Sequence, residues 1–401
     1  MRSRDWRLTL FLLWLAGACL RLTVLAVPPL VPRIHEQLRL DETAIGFLTG
    51  MPVLLVALVA VPGSLLIARI GARRALICSL LLIAAAGAAR GLFDTPFQLF
   101  AMTFLMGCGI SAAQPAMPAL VKSWLPNRVG VGTASFSNGI LIGEILAVAT
   151  TLPVIMLLVH QSWQLALAVW SVPVAATAGL VGLVTTHDPP TPGSVPLMWW
   201  PDWRDSTIWK LGLILGGASS AYWTANAFIP DYLRASHHSA LITAALASLN
   251  IVQLPSSILV ALLPSRLIAR RWPLAIAGGL TIISAGAIVM LPASWIVVPA
   301  GLLGFSTALV FVLTLALPPL LAKPSDTHRL SAGIFTVSYV CPFLGSLLSG
   351  AMWDLTGHDW TAFMTVVAGG LLMLLLPRRL ALLASMKSAG GEVNVPLSMT
   401  P

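Results

Sequence analysis

Apolar runs of about 20 residues, the length a helix needs to cross a bilayer, recur along this chain and are parted by short polar turns. A spanning β-barrel would instead need strands of about 10 residues with alternating polarity, and these runs do not alternate. The pattern predicts twelve helices, over residues 8–32, 44–68, 75–93, 97–121, 131–158, 163–186, 207–233, 240–263, 273–291, 294–321, 329–353 and 360–384. An all-α membrane protein is therefore expected. The even number puts both termini on one side.

The longest polar interruption is HDPPTPGSVPLMWWPDWRDS, residues 187–206. It divides the chain into an N-terminal six-helix half (1–186), a linker (187–206), a C-terminal six-helix half (207–385) and a tail (386–401). ARIGARRA at 68–75 and SRLIARRWP at 265–273 place paired arginines after the second helix of each half. This echo suggests duplication. Two pseudo-symmetric halves are a common plan of secondary transporters, with the solute held between them near the midplane. Gly139 and Gly143 in GILIG lie four apart on one helix face, a spacing that lets two helices approach closely.

Composition agrees with the pattern. Only 9% of residues are charged, against about 25% in soluble domains. The net charge of +9 raises the question of nucleic acid, and its distribution answers it. With the N-terminus inside, 18 of the 23 Lys and Arg fall in inner segments. Three lie in outer loops (Arg33, Arg39, Arg234) and two inside helices (Arg21, Arg90). That bias orients a membrane protein, so the expected partner is the lipid bilayer and not nucleic acid. The expected location is the inner (plasma) membrane, with both termini and the 187–206 linker cytoplasmic. The first apolar run outlasts the core of a signal peptide, so it reads as an uncleaved helix. The four cysteines lie in apolar helices with no metal-ligand spacing and are expected to pack as small hydrophobes.

Arg21, Arg90 and Glu144 break the apolar pattern well inside predicted spans. Each stands 13 to 15 residues from its helix start, about 20 Å along the axis. Charges at such depth usually face a cavity or one another. Arginine keeps its proton and offers a fork of donors to oxyanions. Two guanidiniums and one carboxylate sum to +1, which a small monovalent anion would neutralise. Other readings stand beside this one. Arg21 and Glu144 form a structural pair, Arg90 snorkels to the surface, or Glu144 carries a proton for the export of a neutral or weakly basic drug.

Uncharged polar and aromatic residues supply further lining. Tyr222, Trp223 and Asn226 cluster in the seventh helix. Gln114 lies in the fourth and Tyr339 in the eleventh, with Asn138, Asn250, Gln253 and Ser338 elsewhere. The chain has no Walker loop, no HExxH and no carboxylate pair at bilayer depth. No enzyme activity, metal or cofactor is expected, and no obligate protein partner is evident.

These residues resemble the major facilitator superfamily, and within it the cyanate permease and nitroimidazole transporter branch. Arg21 is followed by VPPLVP, 27–32, at the branch's spacing. GAARGLF around Arg90, QPAMPALVKSWLPNR at 114–128, Tyr222 with FIP at 228–230, and GAMWDLTGHDW at 350–360 match further segments in both halves. The resemblance implies a secondary transporter of a small solute that alternates its access between the two sides. Three positions depart from it. Ala68 stands where the superfamily's second-to-third loop carries aspartate, Pro28 replaces a glycine, and Glu144 has no expected counterpart in cyanate permeases.

Overall fold

The computed structural model describes residues 6–92, 95–184, 201–262, 270–317 and 327–379. Most of the predicted linker, most of the 265–273 echo and the whole 386–401 tail lie outside the described residues. The described residues form helices and contain no strand. We label the twelve spans α1 (Trp6–Leu38), α2 (Glu42–Ile70), α3 (Ala72–Ala89), α4 (Pro96–Trp124), α5 (Pro126–Leu158) and α6 (Trp163–Val184). The second six are α7 (Ser206–Ala235), α8 (Ser239–Val260), α9 (Trp272–Met290), α10 (Val297–Ala316), α11 (Thr327–Thr356) and α12 (Asp359–Arg378). Each predicted span has its helix. The ends move by a few residues, chiefly where Asp41, Thr95 and Asp205 accept a backbone N–H of the first turn and start the helix early.

Ten spans among the described residues are long and apolar enough to cross a membrane. Lipid offers no partner to a backbone amide, so each span must close its own hydrogen bonds as helix. Large apolar side chains such as Phe97, Leu183, Met290 and Leu355 project outward from the bundle, as a lipid-facing belt requires. α7 is the informative exception. It is poorer in apolar residues, yet every residue from Ser220 to Leu233 is buried. It lies inside the bundle, where polar side chains meet other helices instead of lipid.

Packing repeats with an offset of six. α1 packs on α5 and α6, as α7 packs on α11 and α12. α2 and α3 pack on α4, as α8 and α9 pack on α10. α3 also meets α6, as α9 meets α12. The two six-helix sets touch mainly through α2 against α11 and α5 against α8. This is the pseudo-symmetric two-half arrangement expected from the sequence.

Two local features position the interior. Gly139 and Gly143 of α5 face α1, and a Cβ on Gly143 would stand 2.5 Å from the Ala18 carbonyl oxygen. Both glycines therefore act through close packing. The second feature is the break in α1. Its first helix ends at Leu25, a 3-10 turn covers Pro28–Leu30, and a helix resumes over Val31–Leu38. Pro28 and Pro29 have no N–H, so the regular ladder cannot continue through them. The Val27 amide turns to Val24 O at 3.2 Å, which leaves the Thr23 carbonyl free for another donor.

The crossing of α1 and α5 makes a testable demand. Gly143→Val should lower the thermal midpoint of the purified protein, by about 1–3 kcal/mol of overpacking. Gly179→Ala, where a Cβ meets nothing within 4 Å, should not lower it, since alanine favours the helix. Equal midpoints for wild type and Gly143→Val would refute the close approach.

Candidate functional site

Two polar groups lie in the interior, and they divide the residues singled out in the sequence. The first centres on Glu144 of α5. Arg21 Nε of α1 stands 3.3 Å from Glu144 Oε1. The Arg21 guanidinium also lies over the Trp223 ring, 5.3 Å from its centroid, within range of a cation–π attraction. From α7, the Tyr222 hydroxyl reaches Glu144 Oε2 at 3.1 Å and Asn250 Oδ1 of α8 at 2.6 Å. Four helices, two from each half, therefore converge on one carboxyl group.

The amides fix the direction of this network. Asn226 Nδ2 donates to the Tyr222 carbonyl at 3.0 Å, so its Oδ1 faces Asn250. Asn250 Nδ2 donates to Leu246 O at 2.8 Å and to Asn226 Oδ1 at 3.2 Å, so its Oδ1 faces Tyr222. A phenol has one proton, which Tyr222 can give to the Glu144 carboxylate or to Asn250, whose Oδ1 also accepts from Gln253 Nε2 at 3.3 Å.

The second group is Arg90. It is the C-cap of α3, where the sequence reading had the helix run on to 93, yet its side chain is fully buried. It does not snorkel. Nη2 donates to the Thr23 carbonyl freed by the proline break, at 2.8 Å, and Nε reaches Gly87 O at 3.4 Å. Nη1 has no hydrogen-bond partner, and no carboxylate pairs with Arg90 among the described residues. Its guanidinium borders a narrow cavity between α1, α2, α4 and α7. Thr49, Thr103, Trp223 and Asn226 line that cavity with apolar neighbours that include Pro28, Leu48 and Met106. The buried Thr23 hydroxyl is also without a partner. Trp223 and Asn226 border the cavity and also join the Glu144 network, so the two groups are adjacent.

Gln114 and Tyr339 stand apart from both. Gln114 Nε2 of α4 donates to the Tyr339 hydroxyl of α11 at 3.3 Å and links the halves elsewhere. Asn138 accepts from Trp14 Nε1 at 2.9 Å, a contact between helices. Sequence reasoning did not find Thr49 and Thr103, because a threonine in an apolar helix carries no signal of its own. It also passed over a polar cluster around His35, Glu42 and Asp231, whose members lie at helix ends where charge is ordinary. Asp231, in FIPDYLR inside the seventh predicted helix, was the one available sign.

A double-mutant cycle tests the Arg21–Glu144 link. Arg21→Ala leaves a buried carboxylate unpaired and should cost about 3–5 kcal/mol. Adding Glu144→Gln should restore much of the thermal midpoint. Additive losses would separate the two residues.

The comparisons with known proteins agree with this architecture. The family model described as Major Facilitator Superfamily matches residues 13–346. A 2-nitroimidazole transporter of Escherichia coli (strain K12) is 27% identical over 372 residues, covering 88% of this chain and 90% of that protein. The cyanate transport protein of the same organism is 26% identical over 380 residues, covering 92% and 96%. The crystal structure of a D-xylose-proton symporter superposes with a TM-score of 0.75 at 14% identity, over 94% of this chain and 97% of that one, a likeness of fold alone. With the family model spanning most of its length and the six-helix packing repeated in both halves, this chain is a member of the major facilitator superfamily of membrane transporters.

Proposed function

We propose that the protein carries a small monovalent anion across the inner (plasma) membrane by alternating access. In this reading the halves 1–186 and 207–385 rock about a solute held between them. The 187–206 linker, the 386–401 tail and both termini are cytoplasmic. The carrying observation is Arg90, a buried guanidinium with a free Nη1 and no carboxylate partner among the described residues, which helps to line a narrow cavity. An unpaired buried charge is costly, and a bound anion would neutralise it. Trp223 and Asn226 would form the opposite wall, with Tyr222, Gln114 and Tyr339 supporting the surface between the halves.

The Glu144 network supports proton coupling. In its ionised form Glu144 holds Arg21, and the pair is neutral. Protonated, it becomes neutral and releases its hold on Arg21, while Tyr222 can turn its proton to Asn250. A second guanidinium then becomes available beside the first. Proton and anion would thus favour each other's binding.

The rival reading is export of a neutral or weakly basic compound, with Glu144 as proton carrier and the arginines as its partners. The Trp223 ring on the cavity wall and the 2-nitroimidazole transporter among the relatives favour it.

Ligand-induced thermal shifts separate the two. Cyanate, nitrate and small carboxylates should stabilise the wild type. Arg90→Gln removes a charge-assisted bond of about 1.5–3 kcal/mol and should weaken that binding by at least about ten-fold. In sealed proteoliposomes Glu144→Gln should abolish the response of anion uptake to a pH gradient. Stabilisation by neutral nitroheteroaromatics alone, lost in Glu144→Gln and kept in Arg90→Gln, would overturn the anion reading.

A further inference from the structure

At the end of the bundle away from both termini, charged side chains hold α1, α2, α7 and α11 together. Asp354 of α11 accepts the backbone N–H groups of Glu42 and Thr43 at 3.0 and 2.8 Å and the Thr43 hydroxyl at 2.5 Å. These are donors that the start of α2 leaves over, and they use both Asp354 oxygens. Arg234 of α7 donates Nε to Asp231 Oδ1 at 3.0 Å and Nη1 to Glu36 Oε1 at 3.1 Å.

Three side chains remain. His35 Nδ1 of α1 stands 3.3 Å from Asp231 Oδ2 and 3.6 Å from Glu42 Oε1. Asp231 is fully buried and Glu42 nearly so. Apart from the 3.3 Å contact between His35 Nδ1 and Asp231 Oδ2, neither these two atoms nor Glu42 Oε2 has a hydrogen-bond partner. Each such group costs about 1–3 kcal/mol when left alone. The charge is also unbalanced. Arg234 covers Asp231, Glu36 lies at the rim, and among the described residues no arginine or lysine pairs with Glu42. The arrangement asks for one more cation at the point where the three side chains meet.

The spacing indicates which cation. Tetrahedral zinc binds imidazole nitrogen and carboxylate oxygen at about 2.0–2.2 Å, which sets neighbouring ligand atoms about 3.4 Å apart. The two distances from His35 Nδ1 bracket that value, and one donor atom from each residue lies within 4.8 Å of the others. Asp231 keeps its other oxygen on Arg234, the outer contact that typically orients a ligating carboxylate. The His35 side chain is 22% exposed, while its Nδ1 and the facing carboxylate oxygens are buried. We propose that His35, Glu42 and Asp231 bind one divalent transition-metal cation of the zinc type. Bound metal would tie the end of α1 and the start of α2 to α7, and so one half to the other. The inference is independent of the solute carried.

The test is zinc titration of the full-length, tag-free protein against a chromophoric chelator. One zinc ion per chain is expected. The affinity should fall by at least about ten-fold in His35→Ala and in Glu42→Gln, and stay unchanged in His237→Ala and His358→Ala. Zinc should raise the thermal midpoint of the wild type and not of the two cluster variants. Glu42→Gln keeps the side-chain shape, and metal-free midpoints and elution profiles identify any variant that fails to fold. Absence of stoichiometric binding by the wild type, or binding undiminished in both cluster variants, would overturn the proposal. So would a wild type that ignores zinc and is instead stabilised by acid below about pH 6.5 through His35, since the cation would then be a proton.

Discussion

A guanidinium inside a membrane protein cannot shed its charge, and the interior of this bundle is arranged around that constraint. Arg21 meets it with Glu144 at 3.3 Å. The pair forms only because α1 and α5 cross closely, and they cross closely because Gly139 and Gly143 present no side chain to α1. Through Tyr222 and Asn250 the same carboxyl reaches α7 and α8 of the other half. A packing detail of one helix pair thus fixes the electrostatics of the interface between halves.

Arg90 meets the constraint differently. The proline break of α1 frees the Thr23 carbonyl, and the guanidinium takes it. A carbonyl dipole holds the side chain in place without cancelling its charge. The outcome is a fixed cation facing a cavity, beside a second cation whose counter-ion can be neutralised by a proton. Pro28 belongs to the turn in which Val27 leaves the Thr23 carbonyl, so the break in α1 and the placement of Arg90 are linked.

The two ends of the bundle follow separate logics. The interior is arranged around spare positive charge, whereas the far end gathers carboxylates with too few donors. Both sets span the halves, so both bear on how the halves move. Asp354 accepts from the start of α2, while the Glu42 and Asp231 carboxyls face His35.

The sequence by itself determined the twelve spans, their order, the family and the three misplaced charges. The physical reason is local. Lipid obliges each crossing segment to satisfy its own backbone, so length and apolar content suffice to read the helices. What the tertiary structure decided was partnership. Arg21, Arg90 and Glu144 appeared equivalent in depth, and only the packed helices paired two of them and left the third facing a cavity. Tyr222 and Asn226 stood out in the sequence by clustering in one helix, but only the packing joined them to Glu144 and set Gln114 and Tyr339 apart. His35, Glu42 and Asp231 appeared as ordinary charges at helix ends. Which faces meet depends on crossings between segments far apart in the chain, and no periodicity along one helix carries that information.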